Sequence, residues 1–138
     1  MRFIDANVFL YAAVKPKGDA RGEILERKGR SKQIILRVQG GEEVITTVVH
    51  ISEIANILEA KVNLETALKF IENLMLAENI KILPVLYEDY LFSRYEESSQ
   101  DVSLNDALAY LKMREAGVEE IYTFDNHFKN LDVKIVQE

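Results

Sequence analysis

Four carboxylates, Asp5, Glu53, Asp106 and Asp125, are the residues of this sequence whose types and placement could do chemistry together. Asp5 follows the apolar pair Phe3-Ile4 and so ends a first strand. Asp125 follows Ile121-Tyr122-Thr123-Phe124 and takes the same place on a later strand. Glu53 falls in the first turns of the helix after a second strand. Asp106 falls in the first turn of its own helix, beside Leu104, Ala107, Leu108 and Leu111. Gathered in one crevice, like charges raise one another's pKa, often by more than about one unit, and a divalent cation removes that repulsion. Hard oxygen ligands select Mg²⁺ or Mn²⁺ over zinc. Such a site suits phosphodiester hydrolysis, because an ion acidifies the attacking water and no side-chain nucleophile is needed. Taken singly, Asp5, Asp106 and Asp125 also read as helix caps or as charges placed on a helix dipole. Glu53 differs, because its flanks, His50-Ile51 and Ile54-Ala55, imply a half-buried Glu, which is seldom found without a partner.

The elements that must position these acids alternate in type. Arg2-Phe3-Ile4 is a short strand and Asn7 to Val14 is helical. Asp19 to Val38 reads as one or two helices with a break near Gly29, closed by Gly40-Gly41. Val44 to Thr46 is β-branched and extended, and a helix follows from about Thr47 to Lys61. Leu64 to Ala77 carries the most regular helical stripe, Leu64, Ala67, Leu68, Ile71, Leu74 and Met75, which is expected to be core. Ile80 to Val85 is a strand, Tyr87 to Ser98 and Ser103 to Ala116 are helices, and Gly117 closes the second. Ile121 to Phe124 and Val133 to Val136 complete the strands, with a short helix between them. This alternation implies an α/β fold with a mainly parallel sheet and helices on both faces. In such sheets ligands bind beyond the carboxyl ends of the strands, where Asp5 and Asp125 lie.

The chain has 138 residues, 48% of them hydrophobic, which fits one domain with a single core. It has no cysteine, excluding disulfides, thiolate catalysis and Cys-based zinc sites. No secretory signal or membrane-length apolar run is visible, so a cytoplasmic protein without membrane association is expected. The net charge of −6 argues at first against a nucleic-acid partner. The charge is uneven, however. Lys15, Lys17, Arg21, Arg27, Lys28, Arg30, Lys32 and Arg37 outnumber Asp19, Glu23 and Glu26, so this segment carries +5 against −11 elsewhere. A local basic element on an acidic body suits a nuclease, with Arg27, Lys28 and Arg30 expected to line the nucleic-acid approach, although a solvated helix face explains any single one of them as well.

With these residues in view, the sequence resembles PIN-domain proteins, and among them the small VapC-like ribonucleases of toxin–antitoxin pairs. The resemblance rests on Phe3-Ile4-Asp5-Ala6-Asn7-Val8-Phe9-Leu10-Tyr11, Ser52-Glu53-Ile54-Ala55-Asn56-Ile57-Leu58, Ser103-Leu104-Asn105-Asp106-Ala107-Leu108 and Tyr122-Thr123-Phe124-Asp125-Asn126-His127-Phe128. These segments run from end to end of the chain. The resemblance implies a three-layer α/β/α domain over residues 1–138 with a central five-stranded parallel sheet. It also implies a divalent metal site, Mg²⁺ or Mn²⁺, and endoribonuclease activity on RNA. The family's metal-binding acids carry over onto Asp5, Glu53, Asp106 and Asp125. Asn7 and Thr123 match positions that shape the pocket by hydrogen bonding, with Asn126 beside the last acid. A homodimer and an antitoxin protein, blocking the crevice with an Arg, belong to the same implication.

Two readings stand beside this one: an RNA-processing PIN nuclease without an antitoxin, and a non-catalytic PIN-like binding scaffold. A haloacid dehalogenase-like phosphatase with Asp5 as nucleophile would need a second Asp where Asn7 stands. Asp101 reads as a cap or a solvent-facing acid, and His50 as structural. His127 reads as a hydrogen-bonded loop or helix residue rather than a substrate contact. Tyr87, Tyr90, Phe92 and Tyr95 crowd one helix, where core packing or a dimer contact is expected before stacking on bases.

Overall fold

The computed structural model describes residues 1–16, 18 and 22–138, and the side chains of all of these except 95–100. Lys17, Asp19 and Arg21 of the basic segment, and the Tyr95 side chain, lie outside the described residues. The elements run β1 (Arg2–Ile4), α1 (Ala6–Ala13), α2 (Glu23–Gln39), β2 (Val44–Thr47), α3 (Val48–Lys61), α4 (Leu64–Leu76) and β3 (Ile80–Leu83). They continue with α5 (Tyr87–Gln100), α6 (Leu104–Ala116), β4 (Glu120–Tyr122), a 3-10 turn (Asn126–Asn130) and β5 (Lys134–Val136).

The five strands form one sheet in the order β3-β2-β1-β4-β5, parallel throughout. Strand residues alternate between its faces, and each face has its own core. Ile4, Val44 and Tyr122 meet Phe9 of α1, Ile34 and Val38 of α2, Ile54 and Leu58 of α3, and Ala67 and Leu74 of α4. Phe3, Ile45 and Ile121 meet Ala107 and Met113 of α6, together with Phe128 and Leu131. The three-layer α/β/α expectation holds.

Local chemistry sets most element ends. The Thr47 hydroxyl caps α3 by accepting from the amides of Val49 and His50, and Asn63 caps α4 by accepting from Thr66. Ser103 accepts from the Asp106 amide at the start of α6. Gly117 ends α6 at φ 69°, a left-handed conformation that glycine adopts without a Cβ clash. Of the two alternatives for this stretch, one helix or two, the structure has one: α2 runs unbroken through Gly29 to Gln39.

Two packing expectations are corrected. In the α4 stripe only Ala67 and Leu74 are buried, while Leu64, Leu68 and Met75 are exposed. The helix packs mainly on α3, touches the edge strand β3 and sets Phe70 edge-on against Phe9 of α1, with Phe70 and Ile71 partly buried. On α5, Tyr87, Tyr90 and Phe92 are exposed, which removes core packing and leaves the dimer contact of the two alternatives. That helix turns polar groups inward instead: Asp89 and Ser93 are buried, and Asp89 Oδ2 meets the Lys112 ammonium of α6 at 2.8 Å. Among the described residues, no helix is long and apolar enough to cross a membrane.

Candidate metal centre

Pairing of β1 with β4 is the step that assembles the site. The Asp5 amide donates to the Tyr122 carbonyl at 3.0 Å, which sets the ends of both strands side by side. Thr123 then lies beside Asp5 and donates its hydroxyl to Asp5 Oδ2 at 2.7 Å. The same hydroxyl oxygen accepts from the Asp125 amide at 3.0 Å and from Asn7 Nδ2 at 3.3 Å. Asn7 Oδ1 accepts from the Phe124 amide at 3.3 Å. One hydroxyl and one carboxamide thus tie the end of β1 to the segment after β4.

The other two acids enter from the helices on either face. Glu53, half-buried on α3, accepts from Asn105 Nδ2 at 3.0 Å. Asp106, next to Asn105 in the first turn of α6, is buried. Its Oδ2 is enclosed and has no hydrogen-bond partner among the described residues. Asp125 caps the following 3-10 turn, its Oδ1 accepting from the His127 amide at 2.9 Å, with His127 Nδ1 at 3.2 Å. Asp106, Asp125 and His127 each offer a ligand atom, all within 4.8 Å of one another.

Asp5 and Glu53 lie outside that group of three, yet their charges act on the same site. Burial pushes the Asp5 carboxyl from 3.8 up to about 7; the Thr123 and Ala6 donors oppose that rise, and the Glu53 and Asp125 charges add to it. Burial also raises Asp106, to about 8, helped by a hydrogen-bonding contact with Asp125 and by the charges of Asp5 and Asp125. A proton shared between Asp106 and Asp125 gives that oxygen a partner; with both carboxyls ionised it has none. An enclosed carboxylate oxygen with no donor, in a cluster short of positive charge, fits a hard divalent cation. The neighbouring His50 is fully buried, and burial lowers its pKa to about 4, so the ring is neutral.

The rest of the candidate residues spread around this centre. Asn126 is exposed and lines a cavity of about 160 Å³ with Phe124, Gln137, Arg27, Arg30, Glu23 and Glu26. Arg27 and Arg30 pair with Glu23 and Glu26 one turn back, and Arg27 also donates to the Tyr11 hydroxyl at 3.0 Å. Lys28 points elsewhere. Its ammonium donates to the carbonyls of Tyr11, Ala12 and Val14 at 3.0–3.2 Å, satisfying the end of α1. Asp101 is exposed and ends α5 in a left-handed conformation. Asn105 and His127 stand at the centre although the sequence reading gave them no such place. Asn105 carried one signal, its position directly before Asp106 in a helical first turn.

Comparison with known proteins bears on the fold and the family. No curated protein matches the chain. Among solved structures, the Mycobacterium tuberculosis toxin VapC20, described as cleaving the sarcin–ricin loop, superposes with a TM-score of 0.79 at 20% identity, over 100% of both chains. VapBC2 from Rickettsia felis, solved bound to a DNA fragment from its promoter, gives 0.63 at 12% identity, over 98% of this chain and 96% of that one. At such identities the likeness concerns the fold. The PIN-domain family model matches residues 2–134, and the chain belongs to the PIN-domain family.

Proposed function

We propose that this protein is a Mg²⁺- or Mn²⁺-dependent endoribonuclease, a VapC-like toxin held in check by an antitoxin protein, with residues 1–138 forming a single nuclease domain in the cytoplasm. The observation that carries the reading is the enclosed, unpartnered Asp106 Oδ2 set among the charges of Asp5 and Asp125. Family membership supports nuclease chemistry. The RNA named for the Mycobacterium tuberculosis neighbour supports RNA as the substrate class here.

Asp5, Asp106 and Asp125 would hold the ion, with Glu53 adding charge beside Asp5. When bound, the ion supplies positive charge for a phosphate oxygen and acidifies the attacking water. The chain's own residues do the orienting. Thr123 ties the Asp5 carboxylate to the Asp125 amide, Asn7 holds the Phe124 amide, and Asn105 aims the Glu53 carboxylate. Arg27, Arg30 and Asn126 line the adjoining cavity and would meet the RNA backbone once Glu23 and Glu26 give up their partners. Lys28 would act through α1 rather than on phosphate. A homodimer is proposed with this reading, and light scattering on the purified protein checks it.

Calorimetric titration with Mn²⁺ and cleavage of RNA, on wild type and on Asp5→Asn and Asp106→Asn, test the proposal together. Wild type is expected to bind Mn²⁺ and cut RNA only with the ion, and both variants to lose both properties. Cleavage in chelator, or full cleavage by Asp5→Asn, would overturn it. A separate pull-down with the product of a neighbouring small gene decides whether an antitoxin exists.

A further inference from the structure

The buried His50, which neither the carboxylate cluster nor the family pattern uses, has a tautomer that the structure determines. Its Nδ1 lies 2.7 Å from the Thr47 hydroxyl. That hydroxyl oxygen already accepts two amide hydrogens as the α3 cap, from Val49 at 3.1 Å and His50 at 3.3 Å. A hydroxyl has two acceptor lone pairs and one hydrogen, so Thr47 must be the donor to Nδ1. The ring proton of the neutral imidazole therefore sits on Nε2. That Nε2 is enclosed, without a hydrogen-bond partner among the described residues, and lies 3.9 Å from Asp5 Oδ1. The Phe3 ring packs edge-on against His50, centroids 5.1 Å apart and planes 75° apart, which restrains the ring from turning its proton elsewhere.

We propose that Thr47 and His50 form a positioning relay in which the His50 Nε2–H closes onto Asp5 Oδ1 and orients that carboxylate as an ion ligand. A buried N–H left without a partner among the described residues lies 3.9 Å from a carboxylate oxygen, so a movement of about an ångström pairs the two groups. Asp5 then has three donors: the Ala6 amide at 2.7 Å, the Thr123 hydroxyl at 2.7 Å and His50. The relay links the cap of α3 to the end of β1, and its effect is to favour the ionised carboxylate in one orientation. It rests on the proposed function only where Asp5 is taken as a ligand; the hydrogen bond itself does not.

Ring ¹⁵N and Hε2 resonances of His50, measured in the intact protein, test the relay without any metal. Protonation at Nε2, with a slowly exchanging Hε2 whose shift moves in Asp5→Asn, is expected. Protonation at Nδ1, or an Hε2 shift indifferent to Asp5→Asn, would overturn the proposal. Thr47→Val is expected to mix the tautomers and Thr47→Ser to keep Nε2–H. For ligand orientation, His50→Leu should bind Mn²⁺ about 10-fold more weakly, the usual effect of losing a group that hydrogen-bonds a ligand. His50→Gln, which keeps an N–H near Nε2, should recover most of that affinity. Equal loss in both variants, or none in His50→Leu, would reject the positioning role. If wild type binds no Mn²⁺ and cuts no RNA, the nuclease reading fails while the resonances still decide the relay.

Discussion

Replacing Asp5 with Asn is expected to abolish ion binding and, at the same time, to make the protein harder to unfold. The carboxyl is 5% exposed, and burial lifts its pKa from 3.8 to about 7. For an acid whose folded pKa lies above its unfolded one, the penalty is absent below about pH 4, where both states are protonated. It grows between pH 4 and 7, where only the unfolded chain is ionised, and is full above pH 7. At about 1.4 kcal/mol per pH unit, the full penalty is about 4 kcal/mol. Asparagine removes the charge but loses one of the two hydrogen bonds from Ala6 and Thr123, a cost of about 1 kcal/mol. With relaxation of the charged state allowed for, about 2 kcal/mol of stabilisation remains at pH 8 and less than about 0.5 kcal/mol at pH 5. For a chain of 138 residues that corresponds to a rise in Tm of about 8 °C at pH 8 and about 2 °C at pH 5. Thermal unfolding followed by circular dichroism, in chelator, measures both. Mn²⁺ at a hundred times its Kd should stabilise wild type alone, by about 2.7 kcal/mol, and erase the difference. An Asp5→Asn advantage equal at the two pH values, or a variant less stable at pH 8, would refute the reasoning.

Other consequences are as direct. Because Asp5 and Asp106 hold protons near pH 7, Mn²⁺ binding there should release about one proton, and affinity should climb with pH until about 8 and then level. Calorimetry in buffers of different ionisation enthalpy reads this, and identical heats would contradict it. Lys112→Met leaves the buried Asp89 carboxylate, among the described residues, with only the Leu86 amide, so about 3 kcal/mol of stability should be lost in urea unfolding. Much of that loss should return in the Lys112→Met, Asp89→Asn double variant, and a single-variant loss below about 1 kcal/mol would count against a structural role. Lys28→Met should cost about 1–2 kcal/mol of stability, through the end of α1, with RNA affinity unchanged. Arg30→Glu should do the reverse, weakening RNA binding and flattening its salt dependence.

The difference between Lys28 and Arg30 shows where sequence reading stops. Both sit in one basic run, and charge alone assigns them to the same surface. Their directions differ because α2 carries Lys28 against the end of α1 and Arg30 toward the cavity beside Asn126. Helical spacing gives the angle between two side chains, but not which neighbour each angle meets. The α4 stripe repeats the lesson. Its period is that of an amphipathic helix, yet Leu64, Leu68 and Met75 remain exposed while Ala67 and Leu74 are buried and Phe70 reaches the Phe9 ring of α1. Periodicity reports which residues share a face, while burial depends on how much structure lies opposite.

The acidic centre was more legible than the packing because its logic is topological. A parallel sheet sends every strand end to one edge, so an acid directly after β1 and another after β4 must approach once those strands pair. The second turn of α3 carries Glu53 and the first turn of α6 carries Asp106 toward the same edge. What the pattern could not supply was the order β2-β1-β4, which decides that Asp5 neighbours Thr123 rather than another strand end. Nor could it supply the fate of hydrogens. Asp125 reads as a cap and is one, since His127 N–H donates to it, yet the same carboxylate raises Asp106. Capping and ion binding are therefore not rival readings of this residue. The backbone donor uses one oxygen of Asp125 and fixes its direction, which is what a ligand presented to a cation requires.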